Sequence, residues 1–468
     1  MRRASLVLSA TLIAALLAGC SFAPPYKVPP TPQPLAFKEA GPWTLAAPAD
    51  SAPRGPWWTV FGDATLDALE AKLDADNPTL AQALARYDQA RAYFGETQSA
   101  LLPHVGGAGY VTDNRQSDHR PLRGAHQPDE YAANALGLSI DYELDVWGRV
   151  RNLVAAGRAE TAASRADVEA VKLGLEAQLA LAYLKLRALD TEARLLSDST
   201  DAYAKAVKLT TARHTGGAAS QLDVDRAVTQ LQTTRAQIND VRGDRALFEH
   251  AIASLTGQAA SSFALEVAPA EPRLPNIPVV VPSTLLQRRP DIAAAERRVA
   301  AANADIGVAR AAFFPSISLS GVRGFQNTGA TDLFASGNSV WSIGPSIAFS
   351  VFDAGRRKAA VEAAKAVRDQ AADAYRSRVL QAFQDVEDNL ALLNHLADEA
   401  REEDEAVDAA SRTEALSLVR YREGAVSYLE VVTAQTAALQ AKRAALSIAD
   451  RRREACVRLI RALGGGWG

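Results

Sequence analysis

SIDYELDVWGRVR, residues 139–151, returns as SIAFSVFDAGRRK at 346–358, an offset of 207 residues (346 less 139). The same offset carries RHTGGAASQLDV (213–224) onto RYREGAVSYLEV (420–431), and ALLPHVGGAGY (100–110) comes back slightly shifted as AFFPSISLSGV (312–322). A repeat of this length is far beyond the roughly 20 to 50 residues of stacked solenoid units. The chain is therefore read as one structural unit duplicated: a short helix, a strand hairpin, a very long helix, a tight turn and a second long helix.

The strand part follows from alternation with a period of two. From Ala135 to Val146, Leu136, Leu138, Ile140, Tyr142, Leu144 and Val146 share one face, while Ser139, Asp141, Glu143 and Asp145 share the other. In the second copy Trp341, Ile343, Ile347, Phe349 and Val351 alternate with Ser342, Gly344, Ser346 and Ser350. Polar loops, DNRQSDHRPLRGAHQPDE (113–130) and NTGATDLFASGN (327–338), close the two hairpins. Four strands of about 10 to 15 residues suffice to cross a bilayer at a tilt, where roughly 9 to 11 are needed. They cannot close a barrel alone, because the smallest barrels have about eight strands and an open edge in lipid leaves backbone groups unsatisfied. A chain with these strands in lipid has to oligomerise.

The helical part is as pronounced. Asn77-Pro78 supplies a helix N-cap followed by proline at the first helical position, starting a helix that Pro103 stops near Leu102. Asp291, after Pro290, opens a second that Pro315 stops. Between Gly355 and Gly424 there is neither glycine nor proline, and strong helix formers dominate. At about 1.5 Å per residue this stretch extends on the order of 100 Å. Arg149 to His214 matches it, with Gly157 and Gly174 inside. Leu175, Leu179, Ala182, Leu186, Leu189, Ala193 and Leu196 step by four and three, as do Val379, Phe383, Val386, Leu390, Leu393, Ala397 and Ala400, so coiled-coil packing is expected. The fold class is mainly α with a small β part: duplicated long antiparallel helical hairpins and four strands.

The chain starts with Arg2 and Arg3, an apolar run from Ala4 to Ala18, and Leu17-Ala18-Gly19-Cys20. This is the layout of an export signal, and its end resembles the bacterial lipobox, with Cys20 as the lipidated first residue of the mature chain. The apolar run is shorter than the roughly 20 residues of a spanning helix. Removing residues 1–19 takes away two arginines, so the formal charge moves from −3 to −5 (49 basic against 54 acidic residues). Such a balance speaks against nucleic acid. Only Cys20 and Cys456 are present, so a lipidated Cys20 leaves no disulfide within the chain. Ten of the 22 prolines fall between Pro24 and Pro56 and six between Pro269 and Pro290. The expected divisions are a signal peptide (1–19), a proline-rich lipidated tail (20–62), a first repeat (63–268), a proline-rich linker (269–290), a second repeat (291–463) and a C-terminal tail (464–468).

Four motifs, GPWWTVFGDATLDALEAKLDADNPTL (55–80), YELDVWGRVR (142–151), RRPDIAAAERRVAAANADIGVARAAFFPSISLSG (288–321) and SVFDAGRRKAAVEAA (350–364), resemble the bacterial outer-membrane efflux factors of the TolC type, in their lipoprotein branch. With the duplicated turns they span essentially the whole mature chain. The resemblance implies a homotrimer whose twelve strands make one β-barrel in the outer membrane, continued into the periplasm by an α-barrel of twelve helices with a partly helical belt. It implies as partners a periplasmic adaptor protein and an inner-membrane efflux pump, with small molecules as cargo. A duct for protein secretion is the alternative within the family, and a lipid-anchored coiled-coil scaffold without a pore the alternative outside it.

The turns 217–223 and 424–430 carry the candidate site residues. Gly217 and Gly424 suit left-handed helix C-caps, and Ser220 with Asp223 and Ser427 with Glu430 fit the Ser-x-x-acid capping box. The resemblance places Asp223 and Glu430 at the periplasmic aperture, with these tips touching the adaptor. A trimer then brings six carboxylates to one ring, which favours cations. Arg213 and Arg420, a turn away, are expected to pair with neighbouring helices and hold the aperture shut. Val426 and Thr433 stand where some relatives carry polar or acidic gate residues. Asp141, Glu143 and Asp145 are expected to line the barrel lumen, and Trp341, Tyr142 and Phe349 to face lipid or its interface. The sequence has no Gly-Lys pair, no His-Glu-x-x-His and no Gly-x-Ser-x-Gly. Its six histidines show no ligand spacing, and His119 and His126 share a polar loop. No enzyme activity and no cofactor are expected, and nothing in the chain couples energy to transport.

Overall fold

The computed structural model describes residues 21–31, 34, 36–39, 55–117, 119, 128–268, 274–275, 288–329 and 331–465. The signal peptide, Cys20, most of the proline-rich linker and His126 lie outside these residues. The elements run α1 (Ala64–Asp76), α2 (Pro78–Ser99), β1 (His104–Arg115), β2 (Glu130–Glu143), α3 (Arg149–Thr215), α4 (Gln221–Leu255), α5 (Pro290–Ala311), β3 (Ser316–Asn327), β4 (Ser339–Ala348), α6 (Arg356–Arg422) and α7 (Tyr428–Ala462). The duplication is exact in length where it matters most. The helices α3 and α6 are both 67 residues long, and α4 and α7 both 35.

Two compact units form, and each draws on both repeats. The first takes residues 1–30, 86–165 and 294–376, which include the sheet and α5 beyond its first turn. Its strands follow the order β1-β2-β3-β4, all neighbours antiparallel, so among the described residues β1 and β4 each keep one unpaired edge. Register puts Ile140 between Val105 and Gly321, Tyr142 beside Leu319, and Ile317 beside Ile347. The opposite face carries Asp141 beside Ser320, Glu143 beside Ser318, and Ser318 beside Ser346. One face is thus mainly apolar, though it carries Arg323 and the Asn134 and Asn327 pair, and the other is mainly polar or small, with Tyr110, Val322 and Val340 among the exceptions. At the helical end of the sheet, Trp147 Nε1 donates to the Pro315 carbonyl at 2.7 Å, and Phe314 stacks on Phe22 with ring centroids 4.4 Å apart. The segment after Cys20 lies along α5: Ser21 Oγ donates to Asn152 Oδ1, Arg310 to the Phe22 carbonyl, Asn303 to that of Pro24, and Tyr26 to Glu296.

The sheet is shorter than the alternation suggests. The strand β2 ends at Glu143, so Leu144, Asp145 and Val146 are not strand residues. The reason is a helix start: Asp145 accepts from the amides of Val150 and Arg151 and pairs with the Arg151 guanidinium at 3.1 Å. Orphan N–H groups in the first turn of a helix are a stronger claim on a carboxylate than one more rung of sheet. Similarly β4 ends at Ala348, leaving Phe349 and Val351 beyond it.

The second unit takes residues 31–85, 166–293 and 377–468. Its core joins Leu189, Leu196 and Tyr203 of α3 to Leu231, Ile238 and Val241 of α4 and Leu439 of α7. Of the first heptad series, Leu179, Ala182, Leu186, Leu189 and Leu196 are buried. Of the second, Val379, Val386, Leu390 and Leu393 are buried, but Ala397 is exposed and Leu396 is buried in its stead. The seam drifts because a straight helix turns every 3.6 residues rather than 3.5. Asn77 ties the short helices in: its Oδ1 caps Leu80 N at 2.9 Å, and its Nδ2 donates to the Leu255 carbonyl at 2.7 Å. Asp190, fully buried, is held by Arg187 at 2.9 Å and Arg245 at 2.6 Å.

Candidate functional site

Two helix reversals, α3 into α4 and α6 into α7, lie side by side in the second unit. Gly217 and Gly424 have φ of +74° and +79°, the left-handed conformation that a C-cap requires and that glycine adopts without strain. The amides of Ala218 and Ala425 reach back to the carbonyls of Arg213 and Arg420 at 2.7 and 2.8 Å, so the two reversals share one backbone design. Their N-caps differ. Ser220 and Asp223 make the expected reciprocal box, with Ser220 N and Oγ both donating to the Asp223 carboxylate. Ser427 makes no side-chain cap, a correction to the sequence reading: the Glu430 amide bonds the Ser427 carbonyl, and Glu430 is left exposed.

The side chains between the tips differ even more. Arg213 Nη1 donates to the carbonyls of Tyr421 and Arg422 at 2.9 and 3.2 Å, while its guanidinium lies 4.9 Å from the centre of the Tyr421 ring. A cation on the last carbonyls of α6 meets the negative end of that helix dipole. Tyr421 packs edge-on to Tyr428 at 5.2 Å, and both sit in a small core with Ala206, Ala227 and Val431. Burial raises the pKa of both phenols, Tyr428 to about 12. Arg213 therefore does pair across helices, with carbonyls and a ring and not with Asp223, whose nearest cation is Arg226 at 3.6 Å. Arg420 is exposed. The sequence reading missed Tyr421 and Tyr428. Their signal is where the repeat breaks: at the 207-residue offset they face His214 and Gln221.

In the first unit, Asp141 keeps its place on the polar face of the sheet. Glu143 ends β2 in a two-pronged pair with Arg149 at 2.7 and 2.5 Å, which raises the arginine's pKa. Asp145 is the helix cap already described. Back in the second unit, the sequence reading also passed over Glu70. Its side chain is fully buried and neither oxygen has a hydrogen-bond partner among the described residues. Desolvation, then the nearby Glu176 and Asp74, push its pKa to about 10. Glu176, which accepts from Trp57 Nε1 at 3.0 Å, rises to about 7 through burial. Lys172 is the cation of the group, 2.6 Å from Asp74 and 3.7 Å from Glu176. Among the described residues no His, Cys, Asp and Glu group could hold a metal, and no helix is long and apolar enough to cross a membrane.

An amphipathic four-stranded sheet whose two outer edges are open among the described residues, with two matched pairs of very long helices, is the architecture of a class of outer-membrane channel proteins. The chain belongs to the outer membrane efflux protein family, whose model matches residues 71–258 and 281–465. It is 34% identical to the outer membrane protein OprJ of Pseudomonas aeruginosa, over 100% of this chain and 97% of OprJ. It is 30% identical to SilC of Salmonella typhimurium, a probable outer membrane lipoprotein, over 97% of each chain. The solved structure of the outer-membrane channel OprN superposes with a TM-score of 0.87 at 29% identity, covering 96% of this chain and 100% of that one. The fold class and the outer-membrane location expected from the sequence stand.

Proposed function

We propose that three copies of the chain join β1 to β4 into a twelve-stranded barrel across the outer membrane, and that their long helices continue it into the periplasm as a passive exit duct for small molecules. The observation that carries this is the sheet: one mainly apolar face, one mainly polar face and, among the described residues, an unpaired edge on each side. In lipid, every backbone group on those edges needs a partner, and another copy of the same sheet supplies it. Cys20 carries the lipid anchor, and a periplasmic adaptor docks on the tips at Gly217–Ser220 and Gly424–Ser427. The energy comes from an inner-membrane pump, because the chain is a conduit and not an enzyme. Asp223 and Glu430 line the closed aperture, where three of each select for cations, while Arg213 holds the two tips of one chain together. Asp141 faces the lumen.

Purified chain reconstituted in a planar bilayer tests this. The expected result is a cation-selective conductance from a species that runs as a trimer unheated and as a monomer after boiling. A monomer soluble without detergent, giving no current, overturns it.

A further inference from the structure

One charge interrupts the apolar face of the sheet. Register places Arg323 of β3 between Leu138 of β2 and Trp341 of β4. Below it on the same face lie Gly321 with Ile140 and Ile343, then Leu319 with Tyr142 and Pro345, then Ile317 with Ile347. Above it lie Phe325 with Leu136, then Asn327 with Asn134, whose side chains hydrogen-bond at 2.9 Å. From the Ile317 level to the Asn327 level Arg323 is the only charged residue of this face, it is exposed, and it has no ion pair among the described residues.

Its depth is informative. Arg323 is six residues on from Ile317, about 20 Å of strand at roughly 3.3 Å per residue. At a tilt of about 40° that is a rise of roughly 15 Å within an apolar band about 25 Å tall. Arg323 thus stands in the half of the band nearer the loops, where a long side chain reaches headgroup depth and a tryptophan beside it suits the interface. Next to it is a trough of about 520 Å³, lined by Gly107, Gly109, Leu136, Leu138, Phe325 and Phe334 with Arg323. Leu136 and Leu138 lean against Gly109 and Gly107, which have no side chain of their own to raise that side of the trough, and Phe334 stands edge-on to Phe325 at 5.5 Å as a wall.

An apolar trough beside a single unpaired guanidinium matches an amphiphile with an anionic head. A free phosphate has no use for the trough, and a neutral lipid has no use for the arginine. We propose that this face holds a phosphate-bearing anionic lipid of the outer leaflet, one per chain, its phosphate on Arg323 and an acyl chain along the trough. The guanidinium suits this role because its forked donors match phosphate oxygens. The proposal rests on the sheet lying in lipid with its loops outward.

Native mass spectrometry of the full-length trimer, with dioleoyl phosphatidic acid, the matching diacylglycerol and inorganic phosphate as probes, tests it. The expected result is phosphatidic acid bound at least about fivefold tighter than diacylglycerol, with millimolar phosphate displacing neither. Arg323→Leu, which suits an apolar face and should assemble, removes the preference; Arg323→Lys keeps most of it. Equal binding of the two lipids by the parent, a preference that survives in Arg323→Leu, or displacement by phosphate each overturns the proposal. Quenching of Trp341 by brominated phosphatidylcholine, measured as the part lost in Trp341→Phe, reports separately on whether the face is in lipid. Quenching without a phosphate preference overturns the lipid site alone; no quenching overturns the membrane reading and the lipid site with it.

Discussion

Replacing Glu70 by glutamine should stabilise the protein, and by an amount that grows with pH. The carboxyl is fully buried, has no hydrogen-bond partner for either oxygen among the described residues, and lies near Glu176 and Asp74 with Lys172 as the cation of the group. Its pKa rises from 4.5 to about 10 on folding. A raised folded pKa means the folded chain keeps a proton that the unfolded chain releases above pH 4.5. Stability from this group is therefore complete below pH 4.5 and declines as pH rises towards 10. Each pH unit in that window is worth about 1.4 kcal/mol, so the penalty is at most about 3 kcal/mol at pH 7 and about 6 kcal/mol at pH 9. Local rearrangement that admits water lowers both figures. Glutamine has nearly the same shape and the same unmet polar atoms, but no proton to lose. Glu70→Gln should match the parent at pH 4.5, exceed it at pH 7 and exceed it further at pH 9. Thermal unfolding of the detergent-solubilised trimer at the three pH values, followed by helical circular dichroism, measures this. A difference that stays constant or shrinks with rising pH refutes the assignment of a buried, protonated carboxyl.

Three further outcomes follow from the same structure. Ser220→Ala removes an observed cap and should cost about 1 kcal/mol, whereas Ser427→Ala should cost almost nothing; amide exchange in the first turns of α4 and α7 distinguishes them. Asp223→Ala with Glu430→Ala should raise single-channel conductance or reduce cation selectivity, and unchanged bilayer currents would remove the acidic ring from the gate. Gly324→Ala should abolish the heat-sensitive trimer on gels, because an added Cβ would lie 2.4 Å from the Leu136 carbonyl oxygen and force β2 and β3 apart.

The fold was legible because its signals are long and repeated. The 68 residues between Gly355 and Gly424, without glycine or proline, can hardly be anything but helix, and strand alternation found twice at one offset is hard to mistake. What escaped was decided by local competition or by contacts distant in sequence. Alternation runs unbroken through Asp145, yet the helix start at Arg149 takes that carboxylate as its cap. A Ser-x-x-acid pattern occurs at both tips and forms a box at only one. Glu70 reads as one more acid on a short amphipathic helix. Its surroundings include Lys172 and Glu176, both more than a hundred residues away, and no local pattern announces them. Arg323 was visible in the sequence, but its isolation on an apolar face needs the register of three strands.

The points where the duplication fails are the most specific part of the design. Arg213 has its counterpart in Arg420, with the same carbonyl capped in the same way, yet only Arg213 finds a tyrosine, because the second tip carries Tyr421 where the first has His214. Two identical hairpins could pair in either order around a ring. One hairpin that offers an arginine and another that offers a ring and the last carbonyls of its helix pair in only one way, so the contact inside a chain is distinct from any contact between chains. In the proposed trimer this turns six similar hairpins into three ordered pairs. In that proposal the junctions between chains fall to residues exposed on the single chain, and Arg420 and Glu430, both exposed, are available for them. A gate that opens between chains then needs only those junctions to part, while the Arg213 and Tyr421 contact carries each pair as one body.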